Sequence, residues 1–108
     1  MMARQLSVRA YDDDGTLLPG RTQLDAAGWR LDNGAFGALE TKLSPHAPLT
    51  QGQLLHFPAL ARNGGIVVGK NGRSIGMPAG FIVPPTKVQV IRGPGLPNPE
   101  SWWSNFYE

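Results

Sequence analysis

Glycine and proline break this chain so often that only one stretch of it can carry a helix of ordinary length. Fourteen glycines and ten prolines are spread through 108 residues, and each favours a turn or ends a regular element. The exception runs from Leu49 to Asn63. Thr50 is a suitable N-cap there, Leu54, Leu55, Phe57 and Leu60 supply a buried side, and Asn63-Gly64-Gly65 is a stop signal. Pro58 lies inside this stretch and is expected to kink or shorten the helix.

The rest of the chain must be built from short strands and loops. Leu6, Val8 and Ala10 alternate with polar residues, which predicts a strand over 4–11, followed by a turn at Asp12-Asp13-Asp14-Gly15. Thr22 to Ala27 reads as either a short helical turn or an extended lead-in. Trp29 to Asp32 and Ala35 to Leu43 read as two strands joined at Asn33-Gly34, a strong signal for a hairpin. Ile66-Val67-Val68 reads as a short strand, Gly69 to Pro85 as a loop, and Thr86 to Arg92 as a final alternating strand. Strands, then a helix, then strands again predict an α/β domain, with a small mixed β-sheet and one main helix. At this length a single domain over 1–108 is expected, with 93–108 as a proline-punctuated aromatic tail containing Trp102, Trp103, Phe106 and Tyr107.

Composition removes several function classes. The chain has no cysteine, which excludes disulfide scaffolds, zinc–thiolate sites and cysteine nucleophiles. No apolar run approaches the ~20 residues needed to span a bilayer, so no membrane association is expected. Met1 to Gln5 has no apolar signal-peptide core, and no signal peptide is expected. The net charge of +2 is compatible with a polyanionic partner. Its distribution is uneven: Asp12, Asp13, Asp14 and Asp25 lie early, and Lys70, Arg73, Lys87 and Arg92 lie late.

The residues that point to chemistry are Arg30-Leu31-Asp32, then Glu40-Thr41-Lys42, then Leu49-Thr50-Gln51-Gly52-Gln53. Residues two apart on a strand share a face, so Glu40 and Lys42 project together while Thr41 faces away. Carboxylate oxygens suit a hard cation such as Mg²⁺, which takes one or two carboxylates and keeps several waters. An adjacent lysine favours hydroxide over water beside such an ion. Which aspartate joins Glu40 depends on the hairpin. A two-residue turn at Asn33-Gly34 sets Asp25 across from Lys42 and diagonal to Glu40, whereas a wider turn centred on Phe36 brings Asp32 opposite Glu40.

In this order and spacing the three segments resemble the Asp…Glu-x-Lys core of PD-(D/E)xK nucleases, and in particular the nuclease domains at the C-terminal ends of bacterial toxins. The resemblance covers about 28–92 and implies a restriction-endonuclease-like core. It implies Asp32 and Glu40 as ligands of Mg²⁺ or Mn²⁺, with Asp25 as the alternative first ligand. Lys42 would stabilise the transition state and Gln53 would orient it. The expected activity is that of an endonuclease on DNA, with RNA as the alternative substrate, touched by Arg30, Lys70 and Arg73. Delivery into a target cell within a larger effector, and a cognate immunity protein, are implied as well. The competing reading is a non-catalytic adaptor or binding module of a secretion or phage structure, with Glu40 and Lys42 merely paired on the sheet.

Other signals point less far. Gly64 to Asn71 nearly spells a phosphate-binding Walker loop, but a helix precedes it and glycines and prolines follow it. His46 and His56 are poorly spaced for a metal site and read as surface or packing histidines. Asp12-Asp13-Asp14-Gly15 lacks the alternating ligands of a calcium loop.

Overall fold

The fold is seen in a computed structural model that describes residues 2–30, 34–42 and 44–92. The elements in chain order are β1 (Met2–Ala10), β2 (Thr22–Trp29), β3 (Phe36–Lys42), α1 (Gln51–Asn63), β4 (Gly65–Val68), β5 (Ile82–Val83) and β6 (Val88–Arg92), with a 3-10 turn at Arg73–Ile75. They form one six-stranded mixed sheet in the order β5-β4-β1-β2-β3-β6, with β3 and β6 parallel and every other pair antiparallel. The expected class, α/β with a mixed sheet and one main helix, is what the chain adopts.

Several expectations are corrected. Thr22 to Ala27 is neither a helical turn nor a lead-in but most of β2, at the centre of the sheet. The hairpin also follows neither expected register, a two-residue turn at Asn33-Gly34 or a turn centred on Phe36, because Phe36 is itself paired with Trp29. Trp29 pairs with Phe36 and Ala27 with Ala38, and the ladder closes where the Arg30 N–H donates to the Ala35 carbonyl at 2.8 Å. This register places Trp29 and Phe36 edge to face, with ring centroids 5.6 Å apart. It also buries Ala27 and Ala38 side by side. Packing of these pairs, rather than local turn chemistry, sets the hairpin.

Pro58 does not shorten α1, which continues to Asn63. The carbonyl deprived of a partner by the proline belongs to Leu54, which is exposed and can be met by water. The helix ends at Gly64, whose φ of 71° suits glycine and whose N–H donates to the Leu60 carbonyl at 3.0 Å. Of the expected buried side only Phe57 and Leu60 are buried; Leu54 and Leu55 are exposed, and His56 and Ala59 complete the buried face below the first turn. The buried residues pack on Leu6, Val8, Ala10, Leu24, Val67 and Val88 in the principal core. A second, smaller cluster of Met2, Ala26, Leu39 and Ile91 lies apart from it.

The division into two clusters traces to an irregularity shared by β1 and β2. In β1 the principal core takes Ala3 and then Leu6, Val8 and Ala10; in β2 it takes Leu24 and then Ala27. Each strand therefore breaks its period of two once. The break falls at Gln5 and Asp25, the one omitted level in a register that is otherwise constant from Met2↔Gly28 to Val8↔Thr22. Gln5 has a φ of 53°, the left-handed conformation that side chains disfavour. One extra residue in each strand at the same level leaves the pairing intact and reverses which side chains face the helix.

Candidate functional site

The site is assembled where β3 runs under the start of α1. Ala38, Glu40 and Lys42 share the face of β3 that turns toward the helix, and Ala38 already belongs to the core on that face. Continuing the strand draws the Glu40 side chain out of water, leaving the residue 5% exposed, and Lys42 is only half-buried beside it.

Gln53 reaches this pair through the helix cap. Thr50 is the N-cap: its hydroxyl accepts the Gln53 N–H at 3.1 Å, and its own N–H donates to Gln53 Oε1 at 2.9 Å. This is a complete capping box. Lys42 Nζ donates to the same Oε1 at 2.9 Å. Both partners of Oε1 can only donate, so the amide has one orientation and Nε2 must face Glu40. It does so at 2.6 Å from Oε2, and Lys42 Nζ lies 3.2 Å from that same oxygen. Glu40 Oε2 thus takes a charged donor and an amide donor. Glu40 Oε1 is buried with no hydrogen-bond partner, the one such side-chain atom among the described residues.

Asp25 closes the other side. The β2–β3 ladder stops at Ala26↔Leu39, and the next level in that register sets Asp25 opposite Glu40. Backbone pairing gives way there to the side chain. Asp25 Oδ2 accepts the Thr41 N–H at 2.7 Å and the Thr41 hydroxyl at 2.7 Å. Burial raises the pKa of Glu40 above its usual 4.5, and the charge on Asp25 raises it further. Hydrogen bonds from Lys42 and Gln53 and the charge on Lys42 act in the opposite direction.

Three of the residues named from sequence therefore meet: Glu40, Lys42 and Gln53. Asp25 stands across from Glu40 rather than across from Lys42, because the ladder is offset from a two-residue turn. Asp32 lies outside the described residues, as do Trp102, Trp103, Phe106 and Tyr107. Among the described residues, no group of three or more His, Cys, Asp or Glu side chains is placed to hold a metal.

Arg30 is half-buried at the closed end of the hairpin, and Ala35 beside it is five residues from Glu40, about 17 Å along the strand. Lys70 and Arg73 are exposed in the loop after β4. That loop reaches over β1, where the Asn71 side-chain amide donates to the Gln5 carbonyl at 2.7 Å, and β2 lies between β1 and β3. Arg92 Nη1 donates to the Ala47 carbonyl and ties the end of β6 to the segment leading into α1.

One participant escapes a reading of the sequence. Thr41 reads only as the spacer between Glu40 and Lys42, and nothing local signals that it holds an aspartate sixteen residues earlier. Thr50 is legible as an N-cap, and Thr50-x-x-Gln53 as a capping box. Its consequence for Glu40 needs the tertiary fold. Of the remaining signals, His56 is a packing residue: its Nδ1 accepts the Ala10 N–H at 3.1 Å, so Nε2 carries the proton and donates to the Pro19 carbonyl at 3.0 Å. The Walker-like stretch is β4 followed by a 3-10 turn, not the start of a long helix. No helix among the described residues is long and apolar enough to cross a membrane. Compared with protein-family models, curated proteins and solved structures, the chain matches none.

Proposed function

We propose that this protein is a metal-dependent nuclease module that hydrolyses phosphodiester bonds of DNA or RNA. One observation carries the reading. The Glu40 carboxylate is held through one oxygen by Lys42 and Gln53, while its other oxygen is buried and bare. A bare buried acceptor costs about 1–3 kcal/mol, and more when charged. An ion pair kept only for stability gains nothing from that arrangement, whereas a divalent cation is satisfied by it.

The residues present fit such an ion. Mg²⁺ or Mn²⁺ needs one or two carboxylates and takes water for the rest; Glu40 supplies one, and Asp25, on the next level of β2, supplies the second. The ion, when bound, contributes a water of lowered pKa and neutralises charge developing on a phosphoryl oxygen. Lys42 sets its Nζ 3.2 Å from Glu40 Oε2 and presents it to the reacting phosphate. Gln53, fixed by the cap, holds Glu40 in a single rotamer. The mixed sheet and single helix support a restriction-endonuclease-like core, and Glu40, Lys42 and Gln53, joined in the order that the nuclease class has them, support that class; Asp32, the first ligand that the resemblance implies, lies outside the described residues. Contacts of Arg30, Lys70 and Arg73 with the nucleic-acid backbone belong to the same proposal. So do delivery as a toxin effector domain and neutralisation by a cognate immunity protein.

The test is incubation of the full chain with supercoiled plasmid and, separately, with a folded RNA, in Mg²⁺, Mn²⁺ or EDTA, beside Glu40→Gln and Lys42→Ala. Cleavage that needs the metal and falls at least ~100-fold in both variants is the expected result. Intact plasmid and RNA from a folded wild-type protein would remove the nuclease reading and leave the binding module in its place.

A further inference from the structure

Thr41 stands between the two residues assigned to chemistry, and its side chain alternates away from theirs. It is nonetheless the residue most tightly engaged with the second acid. Both of its donors, the backbone N–H and the hydroxyl, converge on a single oxygen of Asp25, each at 2.7 Å. The parallel with Glu40 is close, since that carboxylate also receives two donors on one oxygen, Oε2, and leaves the other without a partner. Each acid is gripped through one oxygen, and Glu40 keeps a second, buried oxygen without a partner among the described residues.

The backbone explains why Asp25 needs a grip. At its level β1 and β2 each carry their extra residue, and β2 has stopped pairing with β3. The ladder to β1 skips that one level between Arg4↔Ala26 and Leu6↔Leu24. A free aspartate there would sample several rotamers, and its carboxylate would be held near Glu40 only part of the time. The Thr41 N–H would meanwhile lose its acceptor. The double bond to Oδ2 removes both problems and leaves Oδ1 as the oxygen that can serve a ligand.

We propose that Thr41 is a positioning residue that fixes Asp25 as the second carboxylate of a divalent-cation site whose first carboxylate is Glu40. The proposal rests on the metal-dependent reading given above and names how its acid pair is assembled. Thr41 touches neither the ion nor the substrate. Its contribution is to orient a ligand, and loss of such an outer contact typically weakens metal binding by 10–100-fold.

Mn²⁺ binding to the full chain, followed by the loss of the free-ion electron paramagnetic resonance signal, tests this without any call on cleavage. Thr41→Val keeps the shape, the β-branch and the backbone N–H while removing the hydroxyl. It is expected to weaken Mn²⁺ binding about 10-fold or more. Thr41→Ser should restore most of the affinity. Asp25→Asn should weaken binding at least as much as Thr41→Val, and the two changes together no more than Asp25→Asn alone. Circular dichroism and thermal melts on each variant separate these effects from loss of fold, and the Asp25→Asn background gives the same comparison if Thr41→Val alone is too unstable. Wild-type affinity in Thr41→Val, with Asp25→Asn or Glu40→Gln weakened, overturns the role of Thr41. Absence of Mn²⁺ binding in the wild type overturns the cation reading itself, a distinct outcome.

Discussion

Replacing Gln53 by alanine tests whether one side chain joins the helix start to the buried acid. The change removes the 2.6 Å bond to Glu40 and frees Lys42 Nζ and the Thr50 N–H from Oε1. A hydrogen bond to a charged group contributes roughly 1.5–3 kcal/mol. Losing half of a capping box adds about 0.5–1 kcal/mol. Together they predict a loss of roughly 2–4 kcal/mol. With a urea m-value of about 2 kcal/mol/M, the midpoint should fall by about 1–2 M. Equilibrium urea unfolding followed by circular dichroism measures this directly. Gln51→Ala is the control, because Gln51 is exposed in the same turn and its removal should change stability by no more than ~0.5 kcal/mol. A loss below about 1 kcal/mol in Gln53→Ala, or equal losses in the two variants, would refute the claim that Gln53 carries Glu40.

Two further predictions concern pH. Burial and Asp25 hold the pKa of Glu40 above 4.5, so the folded protein keeps that proton to higher pH than the unfolded chain. Its contribution favours folding below 4.5 and fades as pH rises through the folded value; urea midpoints against pH should lose this component in Glu40→Gln. His56 behaves oppositely, because burial lowers its pKa below 6.5 and protonation would end the bond that Nδ1 accepts from the Ala10 N–H. Its contribution is complete above 6.5 and disappears as pH falls through the folded value. The same titration on His56→Gln should lack that component.

The α/β class and the main helix were legible because their signals are local. Thr50 and Gly64 mark the ends of α1, and the alternation of Leu6, Val8 and Ala10 marks the inner half of β1. Glu40, Lys42 and Gln53 were legible as a set because strand alternation and the helix cap fix where each projects. The hairpin register was not, since Asn33-Gly34 favours a two-residue turn in isolation while Trp29, Phe36, Ala27 and Ala38 favour another pairing once packed. β2 was hidden for a related reason. Leu24, Ala26 and Ala27 do not alternate, and the cause lies in a matching break on a neighbouring strand.

The coincident extra residues at Gln5 and Asp25 have a consequence for how this fold relates to its chemistry. Removing both would turn Ala3, Leu6, Val8 and Ala10 into an unbroken every-other pattern, and would do the same for Thr22, Leu24 and Ala27, with each strand still facing its present neighbour. The architecture is therefore complete without them. Asp25 thus sits on an extra residue that the alternation of the scaffold does not require, and a chain lacking Gln5 and Asp25 together is expected to keep the sheet while losing the acceptor of the Thr41 N–H and hydroxyl.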